Sequence, residues 1–366
     1  SAPILQDAIN GVIKRHDPLR TYFIEEELRQ VVLPEAEILL NQIDLSHLNS
    51  EKREAHLQEL LKEIIDRRFS IDQAPLMRGS LIKEGVDEYI LALAIHHIVM
   101  DGWSLTIFLE ELIRNYHSGI NGMSVDYAPL SFTYQNYVES LRSPSFTDLH
   151  EQQMAYWVKK LKDVPPQLPL PTNFPRPLKR TCYGKTKNYK LPKDVTEALF
   201  SICRVHSVSN FMVLSAVLTI LLSRYTNMTD IVIGSPHGGR GGVEAEKLIG
   251  LFQNMLVFRN DCGGNPTFSE LVSRVKKTVL EAYDHSELPF EKIVQKISPK
   301  RERGFTPIFQ VLLSHNNAPQ EQKKFSGLTF SPYLIEVDRV DCDLTFMYSL
   351  EGNLVTSIRI EYSTDL

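Results

Sequence analysis

Residues 87–104 read DEYILALAIHHIVMDGWS. Residues 87–97 are apolar on both alternating faces, which predicts a central strand covered on both sides. After the short loop at Asp101, apolar residues recur at helical spacing up to Gly119, so we expect a helix to follow. A strand, a tight loop and a helix in this order are typical of α/β proteins, where loops at the carboxyl ends of strands usually carry the chemistry.

Composition limits the class of protein. The chain has 366 residues, of which 43% are hydrophobic, enough for two lobes because single cores stop growing near about 250–300 residues. The formal net charge of -5 disfavours nucleic acid as a partner. No apolar run reaches the roughly 18–20 residues of a membrane span, and the start SAPILQ lacks signal-peptide features. The four cysteines form no Cys-x-x-Cys pair, so we expect reduced thiols in a cytoplasmic protein.

A proline-rich stretch divides the chain. Residues 164–177, VPPQLPLPTNFPRP, cannot form a helix or a central strand. The following half repeats the alternation of elements, with helices expected at 209–223 and after a capping box at 267–270. Strands are expected there at 230–234, 308–314, 343–350 and 354–362. We therefore expect a first lobe at 1–164, a linker at 165–184 and a second lobe at 185–366.

The two histidines and the aspartate after them are the candidate chemical groups. Successive strand residues point to opposite faces, so only one of His96 and His97 can reach a given substrate. An imidazole is suited to accept a proton near neutral pH. Asp101 is expected to fix the loop, and Gly102 to permit a tight turn or close approach of a substrate. From these residues alone, a pair of core histidines remains the alternative.

Other catalytic classes have weaker support in the sequence. It has no Gly-x-Ser-x-Gly elbow and no cysteine in a reactive setting, so direct transfer between two bound substrates fits better than a covalent acyl-enzyme. A metal site near Asp101 lacks a third ligand at useful spacing. The glycine-rich stretch 234–242 lacks the phosphate-loop pattern and is interpreted as a structural loop.

Longer motifs indicate a family. The string HHIVMDGWS at 96–104 resembles the signature of the acyltransferase superfamily that includes chloramphenicol acetyltransferase and the condensation domains of nonribosomal peptide synthetases. Four further segments resemble condensation-domain motifs in the same order: RHDPLRTYF at 15–23, IGLFQNMLVFR at 249–259, HSELPFE at 285–291 and TPIFQV at 306–311. Gln253 and Met255 depart from the family pattern, and 133–138 lacks the family's aspartate and is interpreted as packing. The family's first motif and last helix are not found, so a domain core is expected.

The resemblance implies both fold and reaction. The fold would be α/β, with two chloramphenicol acetyltransferase-like lobes in a V-shaped pseudo-dimer, each a mixed sheet flanked by helices. The reaction would join an upstream carrier-bound acyl or peptidyl thioester to the amine of a downstream carrier-bound aminoacyl thioester. Implied partners are the two peptidyl carrier protein domains with their phosphopantetheine arms, and an adjacent adenylation domain. No metal or cofactor is expected on the domain itself.

The resemblance also assigns roles to individual residues. His97 would be the catalytic histidine, which could remove the ammonium proton, orient the amine or hydrogen-bond the tetrahedral intermediate. Structural support is assigned to His96, Asp101, Gly102, Arg15 and Arg20. The substrate tunnel is assigned Trp103, Ser104 and Asn317. Asp101 is expected to pair with an arginine of the 15–20 segment, because a bidentate carboxylate pair would hold the loop.

Several functional alternatives stay open. The segments at 289–291 and 307–310 resemble the subtype that accepts an L-configured donor, while starter and dual epimerisation-condensation domains remain alternatives. A catalytically silent recruitment domain and a free-standing acyltransferase using a soluble thioester are further candidates. A basic cluster after the linker predicts either a solvated face or a carrier contact; it consists of Arg176, Lys179, Arg180, Lys185, Lys187 and Lys190.

Overall fold

The computed structural model describes residues 1–125, 127–297, 304–316, 323–325, 327–333, 335 and 339–366. The chain forms two compact units. Unit 1 consists of Ser1–Ser143, Arg240–Phe252 and Ala318–Ile335, and unit 2 consists of Pro144–Gly239, Gln253–Asn317 and Glu336–Leu366.

Unit 1 contains α1 (Ala2–Arg15), β1 (Thr21–Ile24), β2 (Arg29–Val32), β3 (Leu40–Asp44), α2 (Ser50–Asp66), β4 (Met77–Lys83), β5 (Tyr89–Ile95), α3 (Gly102–Ile120), α4 (Tyr134–Ser140), β10 (Lys323–Phe325) and β11 (Leu328–Phe330). Unit 2 contains α5 (Pro144–Lys160), β6 (Gly184–Lys190), α6 (Lys193–His206), α7 (Asn210–Thr226), β7 (Asp230–His237), β8 (Asn254–Asp261), α8 (Phe268–Asp284), α9 (Phe290–Ile297), β9 (Val311–His315), β12 (Leu344–Glu351) and β13 (Leu354–Ser363).

The main sheet of unit 1 has the order β3-β4-β5, with β3 parallel to β4 and β5 antiparallel to it. Leu91 and Leu93 of β5 pack into the core that α1 and α3 share, whereas Ala92 packs with the buried leucines of α2. The strand is therefore apolar on both faces because each face meets a core. Within the described residues it is nevertheless the outer strand of this sheet, which corrects the expectation of a central strand.

Unit 2 is built on a six-stranded mixed sheet with the order β6-β13-β12-β9-β7-β8. β9 runs parallel to both β7 and β12, and the remaining pairs are antiparallel. On one face, Leu214, Leu218 and Leu222 of α7 pack against Ile231 and Ile233 of β7. These two units confirm the predicted class, in which mixed sheets are flanked by helices.

Several local features of the second half occur where the sequence predicts them. The capping box is present, since Thr267 accepts from the backbone of Glu270 and the Glu270 side chain accepts from the backbone of Thr267. β12 and β13 form the expected hairpin, and 164–177 contains neither helix nor strand.

All four cysteines are free thiols. No single helix in the described ranges is long and apolar enough to cross a membrane, and the pair α6 and α7, which together reach that length and composition, is bent by 107°.

The two units differ from the lobes expected at 1–164 and 185–366. The helix α5 belongs to unit 2, where Trp157 is fully buried in the core and its Nε1 donates to the carbonyl of His285 at 2.9 Å. The segment 240–252 belongs to unit 1. A break in the sequence pattern marks where regular elements stop, but it does not show with which core a flanking element packs.

Candidate active site

His96 is held at the end of β5 by three contacts. Its backbone N–H donates to the carbonyl of Leu76 at 2.9 Å, and its Nδ1 accepts from the N–H of Ile98 at 3.1 Å. Its ring meets Phe69 edge-on, with centroids 5.9 Å apart. Burial, and secondly the neighbouring His97, lower the pKa of His96. These contacts fix the backbone and the ring of the half-buried His96.

His97 is exposed and begins a short 3-10 helix, His97–Val99. None of the hydrogen bonds among the described residues uses its ring nitrogens. β5 ends at Ile95, so the strand alternation expected to separate the two histidines does not extend to them. The turn that follows the strand gives the two imidazoles different surroundings. His97 is the histidine of this pair that a substrate can reach.

Asp101 lies only a few residues further on but is buried, with 4% of its surface exposed. It caps α3, because its Oδ1 accepts from the N–H of Ser104 at 2.8 Å. Its Oδ2 accepts from the N–H of Phe252 at 3.1 Å, and its own N–H donates to the carbonyl of Gly250 at 3.2 Å. Asp101 therefore joins the start of α3 to the segment 250–252.

Arg240 completes this network. Its Nη2 donates to Asp101 Oδ1 at 3.0 Å and to Ser104 Oγ at 2.8 Å, and its Nη1 donates to the carbonyl of Leu248 at 2.8 Å. Both charged side chains are almost inaccessible, with 5% of Arg240 and 3% of Asp101 exposed. The guanidinium also lies over the Phe252 ring, 4.0 Å from its centroid. A buried carboxylate is thus neutralised and nearly saturated with hydrogen-bond donors.

The expectation that Asp101 pairs with an arginine of the 15–20 segment is wrong. Arg15 instead donates to Glu111 at 3.1 Å and lies over the ring of Tyr127. Arg20 donates to Asp17 at 2.7 Å. Both arginines are used by local partners around the start of unit 1, so neither is left for Asp101.

The remaining motif residues lie at the N-terminus of α3. Ser104 was expected in the tunnel, but it is fully buried, and its hydroxyl accepts from the N–H of Gly250 at 3.0 Å. Trp103 is 53% exposed, and its Nε1 donates to the carbonyl of Glu246 at 3.0 Å. Gly102 is exposed, and a Cβ added there would meet nothing within 4 Å. Asn317 lies outside the described residues.

Gly102 has no positive φ, so its place at the start of α3 does not require the backbone freedom of glycine. The backbone conformation therefore gives no support to the tight turn expected at Gly102.

Aromatic side chains of α4 pack against the segment 250–252, which is part of this network. The Tyr134 hydroxyl donates to the carbonyl of Leu251 at 2.8 Å, and burial raises the pKa of Tyr134 to about 12. Its ring meets Phe252 edge-on at 5.1 Å, and Tyr137 packs against Phe252 at 4.6 Å. A Cβ on Gly250 would collide with the Tyr134 ring. The interpretation of this segment as packing fits these contacts.

The sequence analysis did not identify Arg240 and Phe252 as supports of the loop. A signal for Arg240 existed, because a charged side chain flanked by glycines at 238–242 is poorly explained by a loop alone.

In the basic cluster, Arg176 donates to Asp343 at 3.0 Å and Arg180 donates to the carbonyl of Asp341 at 2.7 Å. Within the described ranges, no group of three or more His, Cys, Asp or Glu residues could hold a metal ion.

Comparisons with known proteins agree with this motif. The family model described as Condensation domain matches residues 1–366. One of the linear gramicidin synthase proteins of Brevibacillus parabrevis is 37% identical over 365 residues, which cover 98% of this chain and 5% of that protein. The dimodular nonribosomal peptide synthase of Bacillus subtilis (strain 168) is 35% identical over 376 residues, covering 99% of this chain and 16% of that protein. The chain thus spans only a small part of these relatives.

A solved structure supports the fold. The X-domain from teicoplanin biosynthesis superposes with a TM-score of 0.88 and 24% identity, covering 100% of this chain and 82% of that one. The motif, its geometry and the match over the full length agree: this chain belongs to the condensation domain family, the amide-bond-forming acyltransferases of nonribosomal peptide synthetases.

Proposed function

We propose that this domain transfers an acyl or peptidyl group from an upstream carrier to the amine of an aminoacyl thioester on a downstream carrier, with His97 at the reacting atoms. The observation that carries the proposal is the pairing of an exposed imidazole at 97 with a loop that a buried network holds in place. Positioning of this kind supplies much of the acceleration when two tethered substrates react.

The chemistry needs one proton acceptor and no covalent enzyme intermediate. The acceptor nitrogen attacks the thioester carbonyl carbon, a carbon–nitrogen bond forms, and the carbon–sulfur bond breaks. The proton that the amine loses ends on the departing thiol. His97 would hold that proton or hydrogen-bond the amine. Its exposed ring, at the start of the 3-10 turn, supports this role.

The same proposal names the partners. The two substrates would arrive on phosphopantetheine arms of upstream and downstream peptidyl carrier domains, and the downstream amino acid would be loaded by an adjacent adenylation domain in the cytoplasm. The relatives in which this domain occurs are much longer synthetases, which supports such neighbours. Trp103 and Gly102, both exposed at the start of α3, are proposed to line the path of one arm.

The donor is proposed to be L-configured. This rests on the segments at 289–291 and 307–310, which resemble that subtype. The first of them follows an anchored loop in unit 2, where Asn254 donates to the carbonyls of Ser286 at 2.8 Å and Leu288 at 2.9 Å. Starter and dual epimerisation-condensation domains are the competing subtypes, and donors of either configuration or a fatty acyl donor would separate them.

The test uses two carrier proteins, one loaded with a radiolabelled aminoacyl group and the other with a second amino acid. We expect labelled dipeptide on the downstream carrier with the wild type. His97→Ala should reduce its rate by about 10²–10⁴-fold, the usual contribution of a positioned acid-base group. His47→Ala is the matched control, since His47 is an exposed histidine elsewhere in unit 1.

Three results would contradict the proposal. Equal rates for His97→Ala and the control would remove His97 from the reaction. A wild-type protein that binds both carriers but transfers nothing from L-, D- or fatty acyl donors would favour a silent recruitment domain instead. Transfer from a soluble thioester at the carrier-bound rate would indicate a free-standing acyltransferase.

A further inference from the structure

A second group of titratable rings lies at the carboxyl edge of the parallel strands in unit 2. Tyr348 of β12 pairs with His315 of β9. β7 and β9 are joined at Gly234 and Leu312, and His237 and His315 each lie three residues beyond that pair, toward the carboxyl ends of their strands. Residues at one level of neighbouring strands project from the same face. His237, His315 and Tyr348 therefore form a row across three adjacent strands.

A tyrosine from α8 joins them. The Tyr283 ring meets His237 at 5.3 Å with planes 67° apart, and the His315 and Tyr348 rings lie 5.1 Å apart. We call these four side chains, His237, Tyr283, His315 and Tyr348, the aromatic row. Tyr348 is 7% exposed, Tyr283 is 43% exposed and His315 is exposed. The row therefore extends from the core of unit 2 to its surface.

Partial burial shifts the pKa of three of the four side chains in the row, His237, Tyr283 and Tyr348. It lowers the pKa of His237 and raises the pKa of Tyr283. It also raises the pKa of Tyr348 to about 12, with Tyr283 and Cys203 as smaller causes. Near neutral pH these groups therefore offer an imidazole that can accept a hydrogen bond and hydroxyls that can donate one.

These polar atoms are not used within the fold. Among the hydrogen bonds of the described residues, none involves a side-chain nitrogen or oxygen of the aromatic row. They are also not among the buried unpaired side-chain atoms of the described residues, so they are open to solvent and can be reached by a ligand. In α/β sheets, the carboxyl ends of parallel strands are where ligands bind, and clusters of groups perturbed by burial favour such a site.

We propose that the aromatic row is a subsite for the aminoacyl group of a carrier-bound thioester. This rests on the proposed function and names the residues that would select its substrate. The His237 imidazole accepts from the N–H of the aminoacyl group, the tyrosine hydroxyls donate to its carbonyl, and the ring faces pack against its side chain. A subsite lined mainly by rings prefers aromatic or apolar side chains to charged ones.

Binding is measured without catalysis, in the His97→Ala background, by calorimetry. The ligands are phenylalanyl pantetheine amides, in which an amide replaces the thioester: one has a free amine and mimics the acceptor, and the other is N-acylated and mimics the donor. Pantetheine alone is the third ligand. The variants His237→Phe with His315→Phe, and Tyr283→Phe with Tyr348→Phe, keep the rings and remove the polar atoms.

We expect the Kd of one phenylalanyl ligand to rise about tenfold or more in both double variants, as the loss of hydrogen bonds in a half-buried site predicts. The ligand that loses affinity identifies the donor or the acceptor as the bound group. A charged aspartyl analogue should bind the unaltered row more weakly than the phenylalanyl one. His56→Phe with Tyr189→Phe is the control, because both residues are exposed.

Unchanged Kd values for both phenylalanyl ligands would overturn the proposal, as would an equal loss for pantetheine alone, since the row would then bind the arm. If a double variant fails to fold, the single change Tyr283→Phe decides, because this side chain is 43% exposed. Failure of the proposed function is distinguishable: the wild type would form no dipeptide while the row still affected binding.

Discussion

His97 and Asp101 belong to one short loop but have opposite surroundings. The ring of His97 is exposed and makes no hydrogen bond among the described residues, whereas Asp101 is 4% exposed and accepts from Ser104, Arg240 and Phe252. The motif therefore contains one exposed side chain and one buried side chain. In the proposed function, the exposed side chain takes part in the reaction, and the buried one fixes the backbone that presents it. Changes at the two positions should fail in different ways.

The largest expected effect is on stability at Asp101. Asp101→Ala leaves the buried Arg240 without its carboxylate, which costs about 3–5 kcal/mol when one partner of a buried pair is removed. The free energy of unfolding, measured in urea, should fall by that amount. Arg29→Ala is the control, because its pair with Glu27 is exposed at both ends, by 60% and 55%, and should cost no more than about 1 kcal/mol.

A double-mutant cycle identifies the partner. Asp101→Ala combined with Arg240→Ala should be clearly non-additive, as contacting residues are. Asp101→Ala combined with Arg20→Ala should be additive, since Arg20 pairs with Asp17. Coupling to Arg20 instead would restore the pairing expected from the sequence and contradict the network around Arg240.

Gly102 tests whether the exposed side of the loop serves a substrate. A Cβ there meets nothing within 4 Å, and the backbone does not need glycine. Gly102→Ala should change the free energy of unfolding by no more than about 0.5 kcal/mol. It should slow dipeptide formation by about tenfold or more, because a methyl group on the exposed side of this loop would displace a reactant that must be closely positioned.

The matched control for that change is Gly242→Ala, which also meets open space and should alter neither quantity. Full activity of folded Gly102→Ala would show that no substrate passes close to this position, and the path proposed for the carrier arm would have to be moved.

The sequence predicts features that depend on residues close together in the chain. The alternation along β5 ends with the strand at Ile95 and does not account for the different surroundings of His96 and His97. The sequence did locate the start of α8, by the capping box at Thr267. It did not identify Arg240 as the partner of Asp101, because the pair is separated by 139 positions and the nearer arginines were equally suitable by charge. The segments that make up each unit were missed for the same reason, since tertiary contacts need not follow chain order.

A smaller effect on the free energy of unfolding is expected at Tyr134, whose ring packs against Phe252. Tyr134→Phe removes the hydrogen bond to the carbonyl of Leu251 but keeps the ring against Phe252. One such bond contributes about 0.5–1.5 kcal/mol, and the loss should appear in the urea midpoint with an unchanged slope. Tyr89→Phe, at a position that is 53% exposed, should be neutral. An equal effect of both changes would exclude Tyr134 as a support of the loop.

The smallest effect concerns the pH dependence that His96 contributes. Its pKa is lowered by burial and by His97, so in the unfolded chain, near its ordinary value of about 6.5, it takes up a proton more readily than in the folded protein. By linkage, stability should therefore be lost as the pH falls below about 6.5 and should stop changing below the lowered pKa. His150 and His237 act in the same direction but are common to wild type and variant.

The difference between wild type and His96→Phe isolates that contribution. Between pH 7.5 and 5.5, urea unfolding of the wild type should show a greater loss of stability than the variant. Parallel curves would mean that His96 is protonated equally well in the folded protein and therefore lies in water. In that case the division between a structural His96 and an accessible His97 would no longer hold, although the buried Asp101 and its partners would be unaffected.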